Sequence, residues 1–269
     1  MLFINFANII NHLRRMKHYL FLLVAILLLV SCKMPQQHKP KESNPMVELL
    51  KSYNDKQYDY PNDIAKKEAL KNREDSLKQL QDSLCIFTNI KGSINDISSE
   101  ESEDGKSIVL SYDIKIAPDK YFEVTLNCTR IISKDSLEND SIYKFVKAQD
   151  EFSQVYVDGI LAISPAENKF FDDPLNYDRE LAFSYPKYVF NVVDIRAKES
   201  TLSKNLMTSI KLFKDSYDYL LKDMRHEVYK KSIFDEKTAK CNKSADLLTK
   251  PEFNYLGRYI EACMMDLYR

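Results

Sequence analysis

The sequence predicts an α+β domain in which an antiparallel sheet meander of about five to six strands is covered by C-terminal helices. Over residues 85–132, apolar and polar side chains alternate, which is the period of a strand with one buried face. Over 201–231 and 252–268, apolar residues instead recur at spacings of three and four, which is the period of an amphipathic helix. Strands that precede helices in this way favour a sheet with helices on one face.

A charged helix is predicted to open the domain. Asn62 or Asp63 can cap its N-terminus, and the helix would run to about Leu84. Its apolar stripe is narrow and is interrupted by Arg73; the stripe consists of Leu70, Leu77, Leu80 and Leu84. About two heptads are too few for a coiled coil, so we expect the helix to lie along its own domain.

Three strands form the predicted meander, over 86–94, 108–116 and 122–128. Turn signals separate them at Asp104-Gly105 and at Pro118-Asp119. Because each strand has one apolar face, we expect that face to need a helical layer over it.

The acidic loop at 98–104 reads S-S-E-E-S-E-D, a composition that raises the question of calcium binding. It lacks the glycine at the sixth position and the closing glutamate of an EF-hand loop. We therefore predict a solvated hairpin tip.

The remaining elements follow from the same two periods. Helices are predicted over 136–152, 201–231 and 252–268, and strands over 155–163 and 188–195. Asp158-Gly159 would form either a tight hairpin or a bulge within its strand. Pro251 is well placed at the start of the last helix, because proline is favoured in a first helical turn.

An irregular stretch over 169–185 is the one candidate binding loop. It reads K-F-F-D-D-P-L-N-Y-D-R-E-L-A-F-S-Y and carries the candidate residues Asp172, Asp173, Tyr177 and Asp178. Long loops often carry function, but an Asp-Asp-Pro sequence is also ordinary turn chemistry. Both interpretations stay open.

Residues 1–31 are predicted to be a signal peptide, with Met16 as a better start than Met1. Lys17 precedes an apolar run of 12 residues, Tyr19 to Val30. A membrane-spanning helix needs about 18 or more apolar residues, so the run is too short to cross a bilayer. It ends in Leu29-Val30-Ser31-Cys32, which resembles the lipobox of bacterial lipoproteins.

The resemblance implies cleavage before Cys32, attachment of a diacylglycerol to its sulfur and acylation of its new amine. Two or three acyl chains would tether the protein stably to a membrane. In lipoprotein sorting an aspartate after the cysteine is an inner-membrane signal; Lys33 stands there instead, which favours the outer membrane. Residues 32–61, rich in proline and polar residues, are predicted to be a flexible tether, and 62–269 a single domain.

Four cysteines remain after Cys32 is assigned to the lipid: Cys85, Cys128, Cys241 and Cys263. An even number in an oxidising compartment permits two disulfides. The favoured pairing joins Cys85 to Cys128 and Cys241 to Cys263; the alternative is four buried free thiols. Without a CxxC pair or a Cys/His cluster, no metal site is predicted.

Several chemistries are disfavoured by composition. Without the leader the formal net charge is about −4, which does not favour nucleic acid. No two of the four glycines lie within ten residues of each other, so a phosphate-binding glycine loop is not expected, and no cofactor is predicted. His226 is the one histidine of the predicted domain and stands beside Glu227, which favours a surface position over a catalytic one.

These observations predict a lipid-anchored cell-envelope protein that is a non-catalytic binding or structural module, with a protein partner or ligand. Two alternatives remain. One is a glycan or cell-wall hydrolase that uses paired carboxylates, with Asp172, Asp173 and Asp178 as candidates. The other is an immunity or inhibitor-type lipoprotein, which would need a contiguous exposed acidic or apolar patch.

Overall fold

The computed structural model describes residues 44–164, 169–170, 181–225 and 227–265. Its helices are α1 Pro45–Asn54, α2 Asp63–Leu84, α3 Ser141–Lys147, α4 Leu181–Ser184, α5 Lys204–Met224, α6 Lys231–Ala245 and α7 Lys250–Met265. Its strands are β1 Phe87–Glu101, β2 Ser107–Asp119, β3 Phe122–Ser133, β4 Gln154–Leu161, β5 Ile163–Ser164, β6 Lys169–Phe170 and β7 Lys187–Arg196. A 3₁₀ helix spans Lys134–Asn139.

Five of these strands close into a barrel in the order β1-β2-β3-β7-β4. All neighbouring pairs are antiparallel except β3 and β7, which run parallel from Thr125 opposite Lys187 to Cys128 opposite Phe190. The predicted mixture of a five-stranded sheet and C-terminal helices is confirmed, but the prediction of a meander lying under a helical layer is wrong. A five-stranded barrel with this strand order has the architecture of the OB-fold, which hosts many unrelated functions.

The apolar faces of the strands point into the barrel, and this explains why they need no helical layer over them. Ile90, Ile94, Ile114, Val124 and Phe190 are fully buried in one cluster with their neighbours on every barrel strand. Three helices complete that cluster with residues Met46, Val47, Leu50, Leu77, Ile142 and Val146. Closing the sheet on itself also pairs both of its edges, which removes exposed edge strands along most of its length.

The compact unit begins at Asn44, earlier than the predicted boundary at residue 62. Asn44 caps α1 by accepting a hydrogen bond from the Met46 amide at 3.0 Å, and Pro45 stands in the first turn. The Met46 side chain is fully buried and Leu50 nearly so. Residues 45–54 of the predicted tether therefore belong to the core, because five apolar residues in a polar segment suffice to bury one helix face.

The C-terminal helices form an outer layer on only part of the barrel. Helix α7 packs on β7 and β4, and α5 packs on α7. Their apolar stripes make a second cluster that includes Leu206, Ile210, Leu256 and Tyr259. Helix α6 packs on α5. This helix was not predicted, because Cys241 alone is buried among its described side chains and its apolar stripe is therefore weak.

Two predicted turns are settled by the register of the strands. Asp158 and Gly159 lie inside β4, so they form no hairpin; the ladder between β4 and β7 shifts by one position beside them, and the extra residue of this bulge is Val193 on β7. The acidic loop is an exposed hairpin tip: Asp104 accepts hydrogen bonds from the Ser102 hydroxyl and the Lys106 amide, and Gly105 has a φ of 68°.

The helix predicted over 136–152 is shorter, since Lys134–Asn139 forms the 3₁₀ helix and α3 ends at Lys147.

Within the described part of the chain, no helix combines the length and the apolarity that crossing a bilayer requires.

Candidate functional site

The barrel is open along one side of β3. This strand pairs with β2 over its whole length, up to Ser133 opposite Ser107. On its other side it pairs with β7 only as far as Cys128, because β7 then turns away to pair with β4. Beyond the Thr129 N–H, which closes this last pair, the β7-facing edge of residues 129–133 has no ladder partner among the described residues.

The direction of the free main-chain groups follows from one hydrogen bond. The Thr125 amide donates to the Pro186 carbonyl at 3.0 Å, so the main-chain groups of Thr125 point towards β7. Successive residues of a strand point alternately to its two sides. The main-chain groups of Thr129 and Ile131 therefore point away from β2, while those of Arg130 point to β2. The last ladder pair, Cys128 opposite Phe190, uses the Thr129 N–H as a donor to the Phe190 carbonyl, so the Thr129 C=O and both groups of Ile131 are left at the open side.

A groove runs along this edge, between β3 and the last two turns of α7. It has a volume of about 930 Å³, within the range of ligand-binding sites. We call it the edge groove; its lining includes Thr129, Ile131, Ser133, Val189, Ile260 and Met264. Ile131 is 65% exposed and Met264 is 38% exposed. Such exposure is unusual for two large apolar side chains that line the same groove.

An ion pair stands at the centre of the edge groove. The Arg130 guanidinium donates to Asp140 at 2.8 Å, and Asp140 also caps α3 by accepting from the Tyr143 amide. Glu261 on α7 lies 3.5 Å from Arg130, and its side chain is 63% exposed. Arg130 is therefore held mainly by Asp140, whereas the Glu261 carboxylate is exposed to solvent.

The groove continues towards the start of α7 as a second depression of about 700 Å³. Arg130, Asp140 and Glu261 are shared by both. The extension is also lined by Phe253, which is 57% exposed, and by Gly257, which has no side chain to fill the depression. One face of α7 therefore borders an open surface along most of its length.

A second polar cluster lies under the outer helices, around Asp158 on β4. Asp158 is fully buried and accepts four hydrogen bonds: from the Asn89 amide, from both terminal nitrogens of Arg196 and from the Tyr255 hydroxyl, at 2.7–3.0 Å. Burial, followed by the nearby Asp158 charge, raises the pKa of Tyr255 far above its usual value. All of the acceptor positions of Asp158 are used inside the fold, so this cluster fastens α7 to the barrel.

A third cluster, smaller and more enclosed, lies between α2, α5 and α7, with a cavity of about 280 Å³. Lys214 bridges Asp218, at 2.5 Å, and Asp82, at 3.2 Å. Burial raises the pKa of Asp218, although Lys214 opposes this shift. The lysine ties α5 to α2 through Asp82, while Asp218 lies one turn further along α5, so the role of this cluster is structural.

The outer face of β2 and β3 carries charges of both signs. Asp113 accepts a hydrogen bond from the Asn127 amide nitrogen at 2.7 Å, and Lys115 pairs with Asp96. Desolvation by burial raises the pKa of Asp113. This mixture does not favour a nucleic-acid backbone, which selects clustered cations.

The four cysteines predicted to pair are buried, and none of them forms a disulfide. Cys128 points into the barrel core, whereas Cys85 and Cys263 belong to the cluster beneath the outer helices. Cys241 lies on α6. Neither predicted disulfide is formed, and for Cys85 and Cys128 the physical reason is that the barrel wall separates their side chains.

The other predicted site residues lie outside the described residues: the lipid-attachment residue Cys32, His226, and the loop candidates Asp172, Asp173, Tyr177 and Asp178. Among the described residues, no three or more His, Cys, Asp or Glu side chains are grouped so that they could hold a metal ion. The edge groove was missed, because no local pattern in 129–133 reveals where β7 leaves β3.

No protein-family model, no curated protein and no solved structure matches this chain.

Proposed function

We propose that this protein is a lipid-anchored protein of the cell envelope, held in the outer membrane through Cys32, and that its barrel domain is a non-catalytic binding module. The edge groove is the observation that supports a binding role most strongly. It combines a row of main-chain hydrogen-bonding groups with a wall of exposed apolar side chains. Exposed apolar surface costs solubility, and a partner that covers it would offset that cost.

The groups around the groove suit recognition better than bond cleavage. A carboxylate-dependent hydrolase needs two acids that both face its substrate, one of them protonated. In the edge groove Asp140 is already neutralised by Arg130, at 2.7 Å, and its side chain is only 10% exposed. Of this pair of neighbouring acids, Glu261 alone is presented to a ligand.

In-cell photo-crosslinking tests this proposal. A photoreactive phenylalanine analogue replaces Met264 in the groove or, as the matched control, Tyr121, which is 71% exposed at the tight turn between β2 and β3. We expect a discrete adduct with one envelope protein from position 264 and none from position 121. Adducts of equal yield and pattern from both positions would contradict the proposal.

A further inference from the structure

We infer from the geometry that the partner of the edge groove is an extended polypeptide segment that joins the sheet as an added strand beside β3. This inference rests on the proposed function, because it names the class of partner for the same surface. The segment would carry apolar residues at alternate positions and a lysine or arginine that meets Glu261.

The first argument is the hydrogen-bonding capacity of the edge. The C=O group of Thr129 and the N–H and C=O groups of Ile131 point to the groove side and have no ladder partner among the described residues, whereas the Thr129 N–H is used in the last ladder pair with β7. An added strand supplies donors and acceptors at the spacing of those groups. A docked helix cannot, because its own main-chain groups are already bonded to each other.

The second argument is the shape of the space. A strand paired with β3 lies about 4.8 Å from it, which places it between β3 and α7. Its side chains would alternate between the two faces of the sheet, so that one set contacts Ile131 and the other meets the lining around Ile260 and Met264. Methionine adapts to side chains of different shape, which suits a site for a varied segment.

The third argument is charge complementarity. Glu261 is exposed on the α7 side of the groove, and Asp135 and Glu138 are exposed next to Ser136 and Asn139, which line the opposite side. Arg130 balances these acids only in part, since it lies 2.7 Å from Asp140 and 3.5 Å from Glu261. A lysine or arginine in the segment would therefore meet carboxylates on both sides of the groove.

Selection of peptides on two forms of the protein tests the inference. A phage-displayed library of linear peptides of about 12 residues is selected on the full-length protein in detergent. Affinities are then compared with those for Ile131→Pro and Ile131→Val. The proline removes the Ile131 N–H, which points to the groove, and leaves the bonds that Arg130 and Ile132 make to β2. The valine keeps that N–H and the apolar surface.

We expect binders with alternating apolar residues and a basic residue. Their affinity should fall by about tenfold or more for Ile131→Pro and by about threefold or less for Ile131→Val, since only the proline leaves a carbonyl of the added strand without its donor. Amide spectra of the proline variant should be unchanged outside β2 and β3, which shows that it folds. Binding should also slow the hydrogen exchange of the Ile131 amide.

Two results would overturn the inference. Peptides that perturb Met264 but bind Ile131→Pro as tightly as the wild type would show that the groove binds without strand addition, and the proposed function would stand. A library without binders that perturb Met264 or Ile131 would also overturn strand addition. The in-cell crosslinking result would then decide the proposed function separately.

Discussion

Single residues hold the outer helices on the barrel, and Asp158 is the clearest case. Its carboxylate is fully buried and is surrounded by donors from three elements: Asn89 on β1, Arg196 on β7 and Tyr255 on α7. A buried ion pair adds little net stability when complete, but it is costly to break, because the remaining charge is left without a partner.

Asp158→Asn should lower the free energy of unfolding by about 1.5–3 kcal/mol, since Arg196 keeps Asp194 as a counterion at 3.0 Å but the donors around position 158 lose a charged acceptor. Tyr255→Phe is the matched control; it removes one neutral donor to the same carboxylate and should cost about 1 kcal/mol. Urea denaturation at neutral pH measures both. Equal losses for the two variants would contradict the role assigned to the buried charge.

Buried tyrosines predict a loss of stability at alkaline pH. Burial raises the pKa values of Tyr112, Tyr188, Tyr255 and Tyr259 above the usual value of 10.0. Because the folded state holds these protons more tightly than the unfolded state, the stability they contribute is complete below about pH 10 and is lost as the pH rises above it. The unfolding free energy, measured at intervals from about pH 8 to pH 11, should fall steeply at the upper end. A flat profile would be inconsistent with ionisable tyrosines in the core.

The four domain cysteines should behave as protected thiols. Burial raises the pKa values of Cys85 and Cys241, which lowers the fraction of reactive thiolate. We expect iodoacetamide to label the native domain slowly and to label all four positions in urea without any reductant. A mass showing two fewer labels per pair would establish the disulfides that the structure lacks.

Among the elements, strand β4 shows how a single glycine permits a barrel. A Cβ on Gly159 would lie 2.4 Å from the Asn191 carbonyl oxygen and 2.6 Å from the Phe190 ring. The ladder shifts by one position at this point, where the extra residue Val193 of β7 lies opposite Asp158 and Gly159. Neighbouring strands can therefore curve tightly enough to close the sheet.

Gly159→Ala should destabilise the domain by at least about 1–3 kcal/mol, the usual cost of overpacking a rigid site. Gly257→Ala is the matched control within α7, where an added Cβ meets nothing within 4 Å. Alanine in a helix interior should stabilise by about 0.5–1 kcal/mol. Thermal unfolding of both variants measures the difference, and a neutral Gly159→Ala would show that β4 and β7 pack less closely than described.

Local patterns predicted most of these elements because each is encoded in its own stretch. The alternation of Phe122, Val124, Leu126 and Cys128 gives β3, and the stripe from Leu206 to Leu221 gives α5. Barrel closure depends on which distant strands meet, above all on the parallel contact between β3 and β7. No local signal encodes that contact, so neither the closed barrel nor the edge groove was predictable from the sequence.

For the whole molecule, we propose a lipid-anchored N-terminus followed by a binding domain. The structure gives the fold of the domain, whereas the anchor stays a prediction from Leu29-Val30-Ser31-Cys32. The mass of the N-terminal peptide should exceed that of unmodified 32–43 by a diacylglycerol and an acyl chain. Cys32→Ala should abolish the increase and release the protein from membranes. An unmodified Cys32 in membrane-bound protein would contradict the anchor.

The open edge of β3 is the central structural claim, and residue-resolved hydrogen exchange of the free protein tests it most directly. We predict that the Ile131 amide exchanges quickly, because it faces the groove, while the amides of Arg130 and Ile132 are protected by β2 and the Thr129 amide by its ladder bond to β7. Equal protection at all four amides would contradict it, since the edge would then already be paired.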